Sequence, residues 1–286
     1  MVQMLVRHII KLVLCLLLAG RVSGGQSPQA TLSSDEHLVK GRAAYLKNDF
    51  ETAKKELQQA LASRKEVAEP QFLLGMIAWH EGKPGDAIKF VSEAIKVQPQ
   101  YPEAHYVLGK LYFEKRDWKK AEAAAIAASR QGAEFANLQV LLGDALLLQG
   151  QRKEALVAYE QALKAPAPNS DVTPELHARI EAVKNLMEIM AHRNDSQYVL
   201  PQPIKDKNFG QASLSATGLV RIVGVLNENG DYKPFALAST DAVPGQVDVL
   251  LGAALSYKFK PATIKGRPVL FWLILEYNHS GSFFRR

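Results

Sequence analysis

Apolar residues along this chain fall into two regimes. Up to about residue 192 they recur at helical spacing and are punctuated by small residues at a fixed interval. Beyond about residue 218 they gather into short, branched, strand-like runs. In the first regime glycine recurs at Gly41, Gly75, Gly109 and Gly143, each 34 residues from the next. Two alanine series keep the same interval: Ala53, Ala87, Ala121, Ala155 and Ala60, Ala94, Ala128, Ala162. Three registers in phase over four copies predict four antiparallel helix pairs that stack on one another. Small side chains belong where two helix backbones approach closely. Leu74, Leu108 and Leu142, each just before its glycine, supply the bulk that fills the gap.

Turns are predicted between the helices at Asn48-Asp49, Gly82-Lys83-Pro84-Gly85, Lys115-Arg116-Asp117 and Gln149-Gly150-Gln151, and Pro99 closes the second pair. Thr173-Pro174-Glu175-Leu176 reads as a helix start, with Thr as N-cap and Pro at the first position. Leu176, Ile180, Val183, Leu186 and Met190 then carry an apolar face to about His192. This helix, over 173–193, is expected to cap the open end of the stack.

Residues 194–213 are polar and proline-punctuated, with Pro201-Gln202-Pro203, and read as a linker. A strand is predicted over Leu219–Leu226, a turn at Asn229-Gly230, and a returning strand over Lys233–Ser239 in which Pro234 favours an edge or a start. A helix is predicted over Val247–Tyr257 and a last strand over Val269–Tyr277. The order is β-β-α-β, one helix on a small antiparallel sheet.

The 34-residue pattern, from about Asp35 to Pro168, resembles the tetratricopeptide repeat. It departs from that pattern at Lys40, where Leu would precede the first glycine, and at Ala133, where the third repeat would match Pro99. The resemblance implies a concave groove lined by the first helix of each pair, with Arg42, Tyr45, Phe72, Met76, Trp79, His80, Tyr106, Lys110 and Phe113 among its positions. Aromatic residues concentrate there in the second and third repeats, as a peptide-binding surface requires. Packing between helices satisfies the same residue types, so both readings stand for each position.

A second resemblance rests on Gly218-Leu219-Val220, Asn229-Gly230, Ser239-Thr240 and Ala253-Ala254-Leu255. Above all it rests on Phe259-Lys260-Pro261-Ala262 with Lys265-Gly266-Arg267-Pro268-Val269. Over about Thr217 to Tyr277 these look like the C-terminal domain of TonB. That family accepts a short segment of an outer-membrane receptor as an added strand, which implies a contact strand here comprising Val269, Phe271, Trp272, Leu273, Leu275 and Tyr277. The alternative is that these side chains pack under the helix. The chain as a whole is expected to be an α+β multidomain protein: an all-α tetratricopeptide superhelix over 35–170, then a small β-β-α-β domain like that of TonB over 214–286.

Composition sets the remaining bounds. Residues 1–24 hold Arg7, Lys11 and Arg21, no acid, and an apolar core from Ile9 to Gly20 of about 12 residues. A membrane-spanning helix needs roughly 20. The segment therefore reads as a signal peptide cleaved after Gly24, with a short connection over 25–34; retention as an anchor is the other reading. Without residues 1–24 the formal charge falls from +6 to +3, and the remaining charges alternate in sign along the helices, which speaks against nucleic acid as a partner. Cys15 is the only cysteine, so disulfides, thiolate zinc sites and a cysteine nucleophile are all excluded from the rest of the chain. No phosphate loop, zinc helix or nucleophile elbow occurs. The expectation is an exported periplasmic adaptor without enzymatic activity, metal or cofactor. Its partners are expected among proteins or peptides of the cell envelope, outer-membrane receptors included. A membrane-anchored energy transducer of the TonB type is the alternative.

Overall fold

The computed structural model describes residues 28–64, 66–132, 136–165, 172–204, 220–239, 252, 254–277 and 283–285. The segment expected to be a signal peptide, residues 1–24, lies outside them, and so does most of the helix expected over Val247–Tyr257, of which Gly252 and Ala254–Ser256 are helical. Eight helices follow one another in four consecutive pairs: α1 (Pro28–Leu46) and α2 (Phe50–Ser63); α3 (Ala68–His80) and α4 (Pro84–Val97); α5 (Pro102–Glu114) and α6 (Trp118–Arg130); α7 (Ala136–Leu148) and α8 (Arg152–Lys164). Helix α9 (Val172–Ala191) comes next. Residues 28–34, expected as part of a connection, are already helical, so α1 begins about two turns before the repeat pattern does.

Each pair turns in the same way. Asn48, Gly82, Arg116 and Gly150 lie 34 residues apart and all have positive φ, between 59° and 82°. The amide after each donates back across the turn: Asp49 N to Ala44 O at 3.0 Å, Lys83 N to Ala78 O, Asp117 N to Tyr112 O and Gln151 N to Leu146 O, each at 2.9 Å. This is the Schellman arrangement, in which one left-handed residue ends a helix and satisfies its last carbonyls. Asp49 and Asp117 then cap the next helix, their carboxylates accepting from Thr52 N and Lys120 N at 3.2 Å.

The chain divides into two units, one of residues 1–111 with 127–133 and one of 112–126 with 134–286. In the first, the periodic small residues let the helices of a pair touch. A Cβ on Gly41 would lie 2.8 Å from Leu57 Cγ, and one on Gly75 2.6 Å from Val91 Cγ2. Ala53, Ala87 and Ala94 are fully buried against the same seams.

The second unit holds α7, α8, α9 and the strands. A Cβ on Gly143 would meet the Tyr159 ring at 2.4 and 2.6 Å. That ring is fixed in place. Its hydroxyl donates to Asp144 Oδ1 at 2.6 Å, and Arg179 of α9 donates to both Asp144 oxygens at 2.8 Å. All three residues are buried, so the ion pair and the phenol tie α7, α8 and α9 together where water does not compete. Burial first, and then the Asp144 carboxylate, hold the Tyr159 phenol well above its usual pKa, so it stays a donor. Burial, the largest single effect, lowers the Arg179 pKa; the Asp144 carboxylate, Tyr159 and Glu175 together outweigh it and raise that pKa.

Nine short strands are described, in three antiparallel sheets. The largest has β4 (Tyr232–Ser239), β3 (Val220–Leu226), β8 (Phe271–Tyr277) and β9 (Phe283–Arg285) in that order. The second is β1 (Tyr198–Val199), β6 (Ala262–Ile264) and β7 (Arg267–Val269); the third is β2 (Gln202–Pro203) with β5 (Phe259–Lys260). Residues 198–203, expected as linker, are thus two strands, paired as Val199↔Thr263 and Gln202↔Lys260. Two-residue strands flanked by prolines carry too little periodicity to be seen in sequence. The β6–β7 hairpin turns on Lys265 and Gly266, both at positive φ, as a two-residue loop of this twist demands. The β3–β4 turn is longer. Asn227 Oδ1 accepts from Asn229 N and Asp231 N at 3.0 and 2.8 Å, and only Gly230 is left-handed, its amide donating to Asn227 O.

Both faces of β3 and β8 are covered. On one, Ile222, Leu226, Phe271, Leu273 and Leu275 pack with Ala254, Tyr257 and Phe259. On the other, Val223, Val225 and Trp272 join Leu176, Ile180 and Val183 of α9 and Tyr159 of α8. Asn185 of α9 adds a hydrogen bond to Leu270 O at 2.9 Å. Helix α9, expected only as a cap on the repeats, is therefore also the floor of the sheet.

Two substitutions test this packing. In urea unfolding, Gly143→Ala is expected to destabilise the chain by about 1–3 kcal/mol, because the pinned Tyr159 ring cannot give way; the gain in helix propensity, roughly 1 kcal/mol, is outweighed. Arg179→Met strands a buried carboxylate and is expected to cost about 3–5 kcal/mol. Adding Asp144→Leu to it should restore most of the loss.

Candidate protein-interaction surfaces

Helices α1, α3 and α5 supply the residues predicted to line a groove, and the structure sorts them by exposure. Tyr45, Phe72, Met76, Trp79, Tyr106 and Phe113 are all buried, none more than 8% exposed. They are packing residues, which corrects their reading as an open aromatic lining. The cause is size: the small residues of the second helices leave space, and rings from the first helices fill it. Phe72 stacks at a tilt on Tyr101 with ring centres 5.0 Å apart, and Phe113, in the second unit, meets Trp118 edge-on at 5.1 Å.

Arg42, His80 and Lys110 retain exposed surface. Arg42 is engaged from its own unit: Nε and Nη2 donate to the two Glu69 oxygens at 2.7 and 2.6 Å, a bidentate clamp between α1 and α3. His80 lies over Phe50, ring centres 4.5 Å apart, and Phe50 meets Tyr45 at 6.2 Å. Close by, Lys54 bridges Glu51 and Glu81 at 2.6 and 2.8 Å. The first unit thus presents a mixed polar rim over a closed aromatic core.

Sequence reasoning missed Tyr101. It is 5% exposed, and among the described residues its hydroxyl has no hydrogen-bond partner. Burial, then the carboxylates of Glu69 and Glu103, push its phenol far above the usual value, so it is a neutral group at the edge of the Arg42–Glu69 clamp. Its place just before the α5 proline gave no periodic signal. Missed as well was the Asp144–Arg179 pair, although a lone acid inside the run Val140-Leu141-Leu142-Gly143-Asp144-Ala145-Leu146 was a visible sign that a buried cation would be needed.

In the second unit, the strand expected to be an open edge is an inner one. β8 pairs with β3 along all seven residues, from Val220↔Tyr277 to Leu226↔Phe271, and on its other side with β9 at Leu275, Glu276 and Tyr277. The side chains of Phe271, Trp272, Leu273 and Leu275 are buried and Val269 is half-buried, paired with Ala262. Their alternation sends them to the two cores rather than to a partner. At the far side of the sheet β4 pairs, among the described strands, with β3.

A shallow cleft of about 440 Å3 lies between the start of α8 and the end of α9, with Met187 and Met190 in its floor and Arg152 and Lys153 at its rim. Among the described residues no group of three or more His, Cys, Asp or Glu side chains is placed to hold a metal ion, and no helix is long and apolar enough to cross a membrane.

Family models for the tetratricopeptide repeat match at residues 38–105, 78–143 and 136–169. No curated protein matches the chain. Among solved structures it is similar to the MamA protein, 22% identical over 54% of this chain and 80% of that one, with a TM-score of 0.46. It is similar to Pseudomonas aeruginosa PilF at 18% identity, 58% and 75% coverage and a TM-score of 0.49. It is also similar to YrrB, described as a TPR protein with an unusual peptide-binding site, at 21% identity, 47% and 68% coverage and a TM-score of 0.43. Residues 38–169 of this chain are tetratricopeptide repeats, a fold that typically serves as a scaffold for protein–protein interaction.

Proposed function

We propose that the chain is an exported, non-enzymatic adaptor of the periplasm that holds two partners at once. The observation that carries the reading is the union of two unlike elements in one chain: tetratricopeptide repeats over 38–169 and a C-terminal antiparallel sheet whose outer strands are β4 and β9. The repeats take one envelope protein through the polar rim around Arg42, His80 and Lys110. The sheet, which resembles the C-terminal domain of TonB in its Phe259-Lys260-Pro261-Ala262 and Gly266-Arg267-Pro268-Val269 segments, takes another by strand addition. An N-terminal segment of an outer-membrane receptor is the kind of ligand that family accepts. Strand addition uses main-chain groups, so the burial of the β8 side chains is compatible with it.

The second reading, a membrane-anchored TonB-type transducer, is favoured by that same resemblance and requires residues 1–24 to be retained. Two measurements decide. Intact mass from fractionated cells is expected to match a start near Gly25 in the soluble periplasmic fraction; a full-length mass in the membrane fraction would make the transducer the better reading. A photo-crosslinking amino acid at exposed His80 is expected to capture a protein that the same group at exposed Lys89, on α4, does not. Equal capture at both positions would remove the repeats from partner binding.

A further inference from the structure

We propose that the cleft between the start of α8 and the end of α9 is a docking site for an acidic peptide segment that carries one large apolar side chain. It is separate from both partner surfaces proposed above, and all of its residues belong to the second unit. Its volume, about 440 Å3, falls within the roughly 300–1,000 Å3 of ordinary ligand pockets. Residues 150–154 line it from one side, and Met187, Met190 and Ala191 from the other. Met187 packs against the core that joins α8, α9 and the sheet, so the floor is held in place. Met190 is 39% exposed, and Val157, one turn along α8 from Lys153, is 55% exposed. Beyond Val157 the Lys184–Glu160 pair, at 3.5 Å, ties the two helices together. Methionine side chains adapt to the shape of an entering aliphatic or aromatic group.

Charge selects the occupant. The side chains of Arg152 and Lys153, at the rim, have no ion-pair or hydrogen-bond partner among the described residues. Beside them Gln149 Nε2 donates to Glu122 Oε2 at 2.7 Å, which engages that carboxylate and sets the α7–α8 turn against α6. Lys119, one turn before Glu122, and Lys115 are exposed and likewise unpaired among the described residues, whereas Lys120 is already held by Asp117 at 2.8 Å. Glu154 on the lining and Glu188 next to Met187 are the acids nearby, two against the four free cations. An apolar side chain of the size of Phe or Leu fills the recess, and carboxylates on neighbouring residues meet Arg152 and Lys153 and then Lys119. A recess favours a peptide over an anionic membrane, which takes up apolar side chains that protrude.

The test uses the full chain with isotope-labelled methionine methyl groups observed by NMR. Met187 and Met190 report on the cleft, and buried Met76, in the first unit, is the internal reference. The probe is the peptide Gly-Asp-Glu-Phe-Asp-Glu-Gly, blocked at both ends and titrated to about 1 mM, the range of weak complexes. Saturable shifts of the Met187 and Met190 methyls are expected, with Met76 unmoved. Replacing the acids of the peptide by Lys, or its Phe by Ser, is expected to weaken binding at least about tenfold. The double variant Arg152→Glu, Lys153→Glu is expected to reverse the preference, so that the lysine peptide binds better than the acidic one. Met190→Gln is expected to remove the advantage of Phe over Ser. The peptide exchanges on the unaltered chain decide by themselves if either variant fails to fold. No shift at the cleft methyls, equal shifts with the acidic and lysine peptides, or an unchanged preference in a folded double variant would overturn the proposal. So would vesicles of phosphatidylcholine and phosphatidylserine that move these methyls where the acidic peptide does not.

Discussion

Strands β3 and β8 are apolar on both faces, and each face needs a cover. One cover comes from the C-terminal segment itself, through Ala254, Tyr257 and Phe259. The other is α9, whose Leu176, Ile180 and Val183 lie with Val223, Val225 and Trp272 in one core that also takes in Tyr159. The buried Asp144–Arg179 pair fixes α9 against the fourth helix pair, and Asn185 pins it to Leu270. A single helix is therefore required by the helices before it and by the sheet after it. Removing it would expose an apolar sheet face and strand a buried carboxylate together, which is why this unit is not a repeat stack with a separate domain tethered to it.

The repeats were legible because their signal is redundant. Gly41, Gly75, Gly109 and Gly143 mark where helices must touch, and the left-handed residues of the turns keep the same 34-residue interval. Their surface was less legible. A ring on the first helix of a pair serves as well to fill the gap left by an alanine as to meet a ligand, and nothing in the period separates the two uses. Tyr45, Phe72, Trp79 and Tyr106 took the first role. Arg42 gave no hint of Glu69, which lies 27 residues on.

The sheet carried a clearer message than a β-β-α-β order alone. Val269-Leu270-Phe271-Trp272-Leu273-Ile274-Leu275 is unbroken by any polar residue, the signature of a strand buried on both faces, whereas a strand with one wet face alternates. That run already called for a second cover. The short strands β1, β2 and β9 were beyond reach for a different reason: two or three residues define no period, and their register is imposed by the strands they join. This matters for function, since β9 turns an apparent open edge into a paired one.

Two-sided burial also shapes what the C-terminal sheet can offer a partner. Its described side chains are committed to cores, so on the proposed reading recognition there would fall to backbone groups at strand edges, and recognition by the repeats to the polar rim above closed aromatic packing. On that reading specificity would depend on ladder length and register at one surface and on charge at the other, two modes that do not compete for the same ligand.

The central claim is that α9 makes the sheet and the last helix pair one cooperative body. Native-state hydrogen exchange across a denaturant series tests it most directly, comparing amides of α8, α9, β3 and β8. These amides are expected to open together, with a common free energy and a common denaturant dependence. Loss of protection in β3 and β8 at low denaturant, while α9 stays protected with α8, would contradict it and return the sheet to the status of an attached domain.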